Sequence, residues 1–147
     1  MIIGNSIFIW FRLPKPITKK PSISGRYMKA KLRNQFKGLK YVEILDNLYQ
    51  GVSLNDLRDL LKFNYFRQQK YVSDKYDCDN YAFSLKGLFS NIAKQVPLGI
   101  VHVDVRGGGK HSLNIFYDQS SRSFYFLEPQ NNKIFKTSRY KPYLVII

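Results

Sequence analysis

Apolar residues recur at two different spacings along this sequence, and the change between them divides it. Tyr27, Leu32, Phe36 and Leu39 lie roughly on one helical face within residues 26–40. Val42, Leu45 and Tyr49 keep that spacing through residues 41–49, which predicts another helix, stopped by Gly51. Ser53 then stands as an N-cap with Asp56 three residues on, ahead of the amphipathic set Leu54, Leu57, Leu60 and Leu61. Cys78, Tyr81, Ala82, Leu85, Leu88, Phe89 and Ile92 predict a further helix over residues 78–93. Pro97 and Gly99 close that section. Beyond them the pattern predicts strands at residues 100–105, 112–117, 123–127, 133–135 and 143–147. Gly107, Gly108 and Gly109 form a loop, and residues 118–122 a turn. Helices first and hairpin-joined strands after predict an α+β fold, with a mainly antiparallel sheet.

Length and composition fit one domain of 147 residues with a packed core, since 44% of positions are hydrophobic and 16% aromatic. Residues 1–13 are apolar but too few to span a bilayer as a helix. They lack a charged leader pattern, and they read as a strand or a membrane-surface anchor. Residues 13–24 carry Pro14, Pro16 and Pro21 and read as an exposed connection.

Charge changes this picture. The chain holds 24 Lys and Arg against 10 Asp and Glu, a formal net charge of +14. Ten of the basic residues lie within residues 12–40, where no acid occurs. That basic N-terminal region, residues 1–40, suits an acidic partner: nucleic acid, an anionic surface or an acidic protein. Tyr27 and Phe36 lie among the charges, as stacking on bases requires. No helix-turn-helix, zinc-finger or RNA-recognition signature accompanies them.

Cys78 is the only cysteine, so an internal disulfide and a Cys-rich metal site are excluded, and a reducing cytoplasm is the simplest compartment. Its place at the start of a helix puts it against unpaired N–H groups that stabilise a thiolate. The strands that follow offer a base. A turn of two residues pairs Asp118 with Ser121, and one of four pairs Tyr117 with Arg122; extended outward, either register sets His111 opposite Glu128. Opposed side chains on neighbouring strands have Cβ atoms about 4.5–5.5 Å apart. Glu128 then holds one imidazole nitrogen, and the other is free to take a proton from Cys78. His102, in the apolar run around Val101 and Val103, is the competing base and reads as structural. The backbone N–H of Cys78 is an oxyanion donor. Gln69 is a candidate side-chain donor, and Gln130 a supporting group beside Glu128.

Three motifs extend these residues. Tyr76-Asp77-Cys78-Asp79-Asn80-Tyr81-Ala82-Phe83, Gly108-Gly109-Lys110-His111-Ser112-Leu113-Asn114 and Phe126-Leu127-Glu128-Pro129-Gln130-Asn131 together resemble the papain-like C-terminal domain of the fungal lectin from Marasmius oreades and its bacterial and phage-encoded relatives. The resemblance covers residues 70–135. It implies a papain-like cysteine peptidase with a catalytic core at residues 70–147. Cys78 is then the nucleophile, His111 the general base and Glu128 the orienting acid, acting on a peptide or protein through an acyl-enzyme. It implies a bacterial or phage source. It also raises calcium, for which Asp77 and Asp79 are the candidate ligands; Asn80 stands where relatives show a second acid. No other cofactor is implied. The fungal lectin's sugar-binding domain has no counterpart in these motifs. The alternative expectation is a papain-like protein without turnover, binding nucleic acid or an acidic protein through residues 12–40.

Overall fold

The computed structural model describes residues 20–136 and 140–147, and the expectations for residues 1–19 lie outside them. Strand β1 (Lys20–Ser24) leads into helix α1 (Gly25–Gln35), then β2 (Tyr41–Glu43), β3 (Leu48–Gly51) and α2 (Leu54–Leu61). A short 3-10 turn at Tyr65–Gln68 precedes α3 (Cys78–Ile92). Strands β4 (Leu98–Val105), β5 (Lys110–Asp118), β6 (Ser123–Glu128), β7 (Lys133–Phe135) and β8 (Tyr140–Ile146) follow.

Six strands form one sheet in the order β2-β8-β4-β5-β6-β7, while β1 and β3 pair separately. All neighbours in the large sheet are antiparallel except β2 and β8, which run parallel with Tyr41 level with Leu144. The alternation of β5 separates two apolar layers. Leu113, Ile115 and Tyr117 pack with Met28 and Leu32 of α1 on one face. Phe116 packs with Leu57 and Leu60 of α2 and with Leu85 and Phe89 of α3 on the other. Buried Asn114 rivets α3 to this second face, its Nδ2 donating to the carbonyls of Ala82 (2.9 Å) and Gly99 (3.0 Å).

The expected papain-like α+β arrangement, with the N-terminal helices all ahead of the strands, is corrected by this topology. Among the described residues strands outnumber α-helices eight to three, and three strands fall before α2. The predicted helix over residues 41–49 is absent. Val42 sits in β2, buried, and Leu45 is 63% exposed. Tyr49 sits in β3, where its hydroxyl donates to the carbonyl of Ile147 (2.7 Å) and accepts from the Asp46 N–H (3.0 Å). Tertiary pairing outweighs a weak local helical pattern of only three apolar positions. In α1, Met28 and Leu32 face the core and Tyr27 is 40% exposed. The capping box of α2 forms as the sequence indicates: the Asp56 N–H donates to Ser53 Oγ (3.3 Å), and the Ser53 N–H donates to the Asp56 carboxylate (2.7 Å).

Candidate functional site

Three sequence-identified residues meet at the end of the sheet where β5 begins and β6 ends. His111 Nε2 lies 2.8 Å from Glu128 Oε2, both side chains half-buried. The pairing that brings them together is not the expected one. Asp118 pairs with Ser123 and Asn114 with Leu127, so the β5–β6 register is two residues away from that predicted. Asp118 causes the shift: its carboxylate accepts from the N–H groups of Ser120 (3.3 Å) and Ser121 (2.9 Å), which draws both into the turn. Extended outward, this register sets Glu128 level with Leu113 and diagonal to His111. A shift of two preserves the face, and a Glu side chain spans the diagonal. The Gln130 N–H donates to the other oxygen of Glu128 (3.4 Å).

Residues absent from the sequence reading hold the turn after Glu128. Buried Asn64, just past α2, donates to the Pro129 carbonyl (2.8 Å) and to Asn132 Oδ1 (2.7 Å), and Asn132 donates to the Leu61 carbonyl (3.1 Å). Asn132 is left-handed at φ 61°, a conformation asparagine tolerates well, and that turn preference was the available signal.

Cys78 is the first residue of α3 and is half-buried. It lies at the same end of the molecule as His111, because α3 and β5 run the same way: Ala82 meets Asn114, and Phe89 lies further on with Phe116. The two residues start on different sides of the sheet. By alternation His111 belongs to the face of α1, whereas α3 covers the other. Among the described residues no hydrogen bond joins Cys78 to either histidine. His102 is on the α3 side, its Nδ1 2.7 Å from Ser112 Oγ. Burial lowers its pKa, and the charge of Asp79 opposes that shift.

Gln69 is exposed, and what it contributes is its backbone carbonyl, which accepts from the Tyr81 hydroxyl. Asp77 caps α3, with its N–H donating to Asn80 Oδ1 (3.0 Å). The Asp77 and Asp79 carboxyls hydrogen-bond to each other, which raises the first pKa and lowers the second. Calcium takes six to eight oxygens, as a rule. Two carboxyls whose neighbouring amide oxygen is already engaged do not supply that set, and among the described residues no cluster of three metal-binding side chains occurs. The residues present do not fit a calcium site.

The pair adjoins a cleft. The Tyr140 ring lies 6.2 Å from the His111 ring and 6.0 Å from that of Phe126, and Phe126 in turn is 5.5 Å from Phe36. These aromatics line a hollow of about 820 Å³ between the C-terminal end of α1 and the sheet. Lys37, Lys40, Lys136 and Lys141 also line it, with Asp104 the one acid among its lining residues.

The family model described as "Ricin-type beta-trefoil lectin C-terminal domain" matches residues 22–147. Among solved structures, a chain described as the "PSL1a-E64 complex" superposes with a TM-score of 0.78 at 21% identity, covering 88% of this chain and 52% of that one. Polyporus squamosus lectin, bound to the human-type influenza-binding epitope Neu5Aca2-6Galb1-4GlcNAc, superposes with a TM-score of 0.73 at 20% identity, covering 88% and 50%. The chain thus spans about half the length of these structures. No curated protein matches it.

These findings correct the resemblance and what it implied. The matching family and the named neighbour are lectins, so the assignments as a papain-like cysteine peptidase and a thiol-dependent amide hydrolase are replaced. The alternative of an inactive papain-like binder of nucleic acid or acidic protein goes with them. Peptide and nucleic-acid partners find no support in the comparisons. Short motifs around a cysteine, a histidine and a glutamate fix positions on a fold, and a fold hosts several functions. Among the described residues no helix is long and apolar enough to cross a membrane.

Proposed function

From the premise that this chain belongs to the family of ricin-type β-trefoil lectin C-terminal domains, we propose that it serves glycan recognition and holds a saccharide in the cleft beside α1. The cleft is the observation that carries this reading. Its volume of about 820 Å³ falls within the roughly 300–1,000 Å³ usual for small-molecule sites. Phe36 and Tyr140, both half-buried, offer apolar surface for the C–H face of a pyranose, and Gln35 and Lys37 give a polar rim for its hydroxyls. The saccharide bound by Polyporus squamosus lectin lends support by class alone, since that chain is twice as long. The test is titration of the domain with a panel of oligosaccharides, followed by NMR. Binding that shifts Tyr140 and Phe36 and is lost in Tyr140→Ala supports the reading; no binding across the panel overturns it.

A further inference from the structure

Helix α1 turns a ridge of positive charge away from the protein. Its buried stripe is Met28 and Leu32, which face the core. Arg26 and Arg33 stand two turns apart on the opposite side, with Ala30 between them, and all three are exposed. Lys29 flanks that line on one side, half-buried. Lys31 flanks it on the other, its Nζ 5.6 Å from the centre of the exposed Tyr27 ring. Lys37 extends the ridge past the helix end, held there by a bond from its Nζ to Asn34 Oδ1 (3.1 Å). Five cations thus run along one outer surface, and α1 itself contains no acid.

Nothing inside the protein answers this charge. Among the described residues no carboxylate lies within ion-pair distance of these five side chains. Arg26 stands in the first helical turn, where a cation opposes the helix dipole and no acid offsets it. The ridge therefore works against the stability of the fold, and an anionic surface outside the protein relieves that repulsion. Its shape selects among anionic partners. A helix lying on a sheet is convex and has no groove walls, and Tyr27 is the one exposed ring on α1. A polynucleotide asks for a groove that tracks its phosphates and for several stacking rings. A lipid surface supplies separate headgroups that gather around each cation, and a tyrosine suits its interface, with an apolar body and a polar tip.

We propose that α1 docks this protein on an anionic lipid surface, with Arg26, Lys29, Lys31, Arg33 and Lys37 among the headgroups and Tyr27 at the interface. The docking is peripheral and independent of the saccharide-binding reading. The experiment mixes the whole chain with vesicles of phosphatidylcholine and phosphatidylserine, or of phosphatidylcholine alone, and measures the bound fraction by sedimentation across a salt series. The chain binds the anionic vesicles at low salt and leaves them as salt rises. Arg26→Gln/Arg33→Gln weakens that binding about 25-fold, at about fivefold for each charge removed. Lys70→Gln/Lys75→Gln removes the same charge from exposed positions ahead of α3 and weakens it far less. Circular dichroism checks that both variants fold. Equal loss in the two variants overturns the inference, because net charge rather than α1 then does the binding. Equal binding to both kinds of vesicle overturns it too, as does no binding at low salt. A duplex RNA captured more tightly than the anionic vesicles, and released by Arg26→Gln/Arg33→Gln, gives the ridge to a polynucleotide and overturns the lipid assignment.

Discussion

His111 and Glu128 are bonded across a diagonal of the β5–β6 ladder rather than straight across it. Their contact therefore depends on the turn after Glu128 as well as on strand pairing. That turn is pinned from outside by Asn64, which reaches it from the end of α2. Asn64→Ala removes both donors and leaves the Pro129 carbonyl unpaired in a buried place. The expected loss is about 1–3 kcal/mol, measured by urea unfolding. Amide exchange at residues 129–132 should quicken in the same variant.

Asn114 is the other buried amide that ties elements together. Its Nδ2 bridges a helix carbonyl and a strand carbonyl, at 0% exposure. Asn114→Leu keeps the branching at Cγ but overfills a buried site and removes the bond to the Gly99 carbonyl. A loss of about 2 kcal/mol is expected, with no compensating gain from the added methyl groups. A variant as stable as the parent would show that the rivet is dispensable.

Gly51 faces a simpler constraint. A Cβ there would lie 1.4 Å from Gln119 Oε1 and 2.6 Å from the Pro21 carbonyl. Gly51→Ala is expected to cost about 1–3 kcal/mol through overpacking. Adding Gln119→Ala removes the first clash and leaves the second, which is backbone. The double variant should recover only part of the loss in thermal unfolding.

His102 gives a pH dependence whose direction follows from its burial. Its folded pKa lies below the ordinary histidine value, so the unfolded chain binds the proton more readily. Stability contributed by the neutral ring is present above about pH 6.5, the unfolded value, and is lost as pH falls toward and through the folded one. Asp79 raises the folded pKa against the effect of burial. Asp79→Asn should therefore lower the His102 midpoint further, as followed by ring-proton NMR. An unchanged or raised midpoint would refute the coupling.

Much of this was legible in the sequence, and the exceptions share a cause. The capping box at Ser53, the start of α3 at Cys78 and the strand order after residue 98 follow from local patterns, because each is decided by neighbours within a few positions. The partnership of His111 with Glu128 was legible by parity: a register error of two leaves both on one face. The strands β2 and β3 were not, because their residues are set by partners far along the chain. The roles of Asn64 and Asn114 were hidden for the same reason. The cleft escaped notice because Phe36, Phe126 and Tyr140 come together only in the fold, and each alone reads as core.

The parallel pairing of β2 with β8 also orders events in time. Tyr41 finds Leu144 across about a hundred residues of intervening chain, a closure whose entropy cost rises with the logarithm of loop length. During synthesis β2 emerges long before β8, and its open edge waits for a partner still inside the ribosome. Folding of the large sheet therefore completes from its C-terminal side, and the slowest step in refolding should be the arrival of β2 at β8.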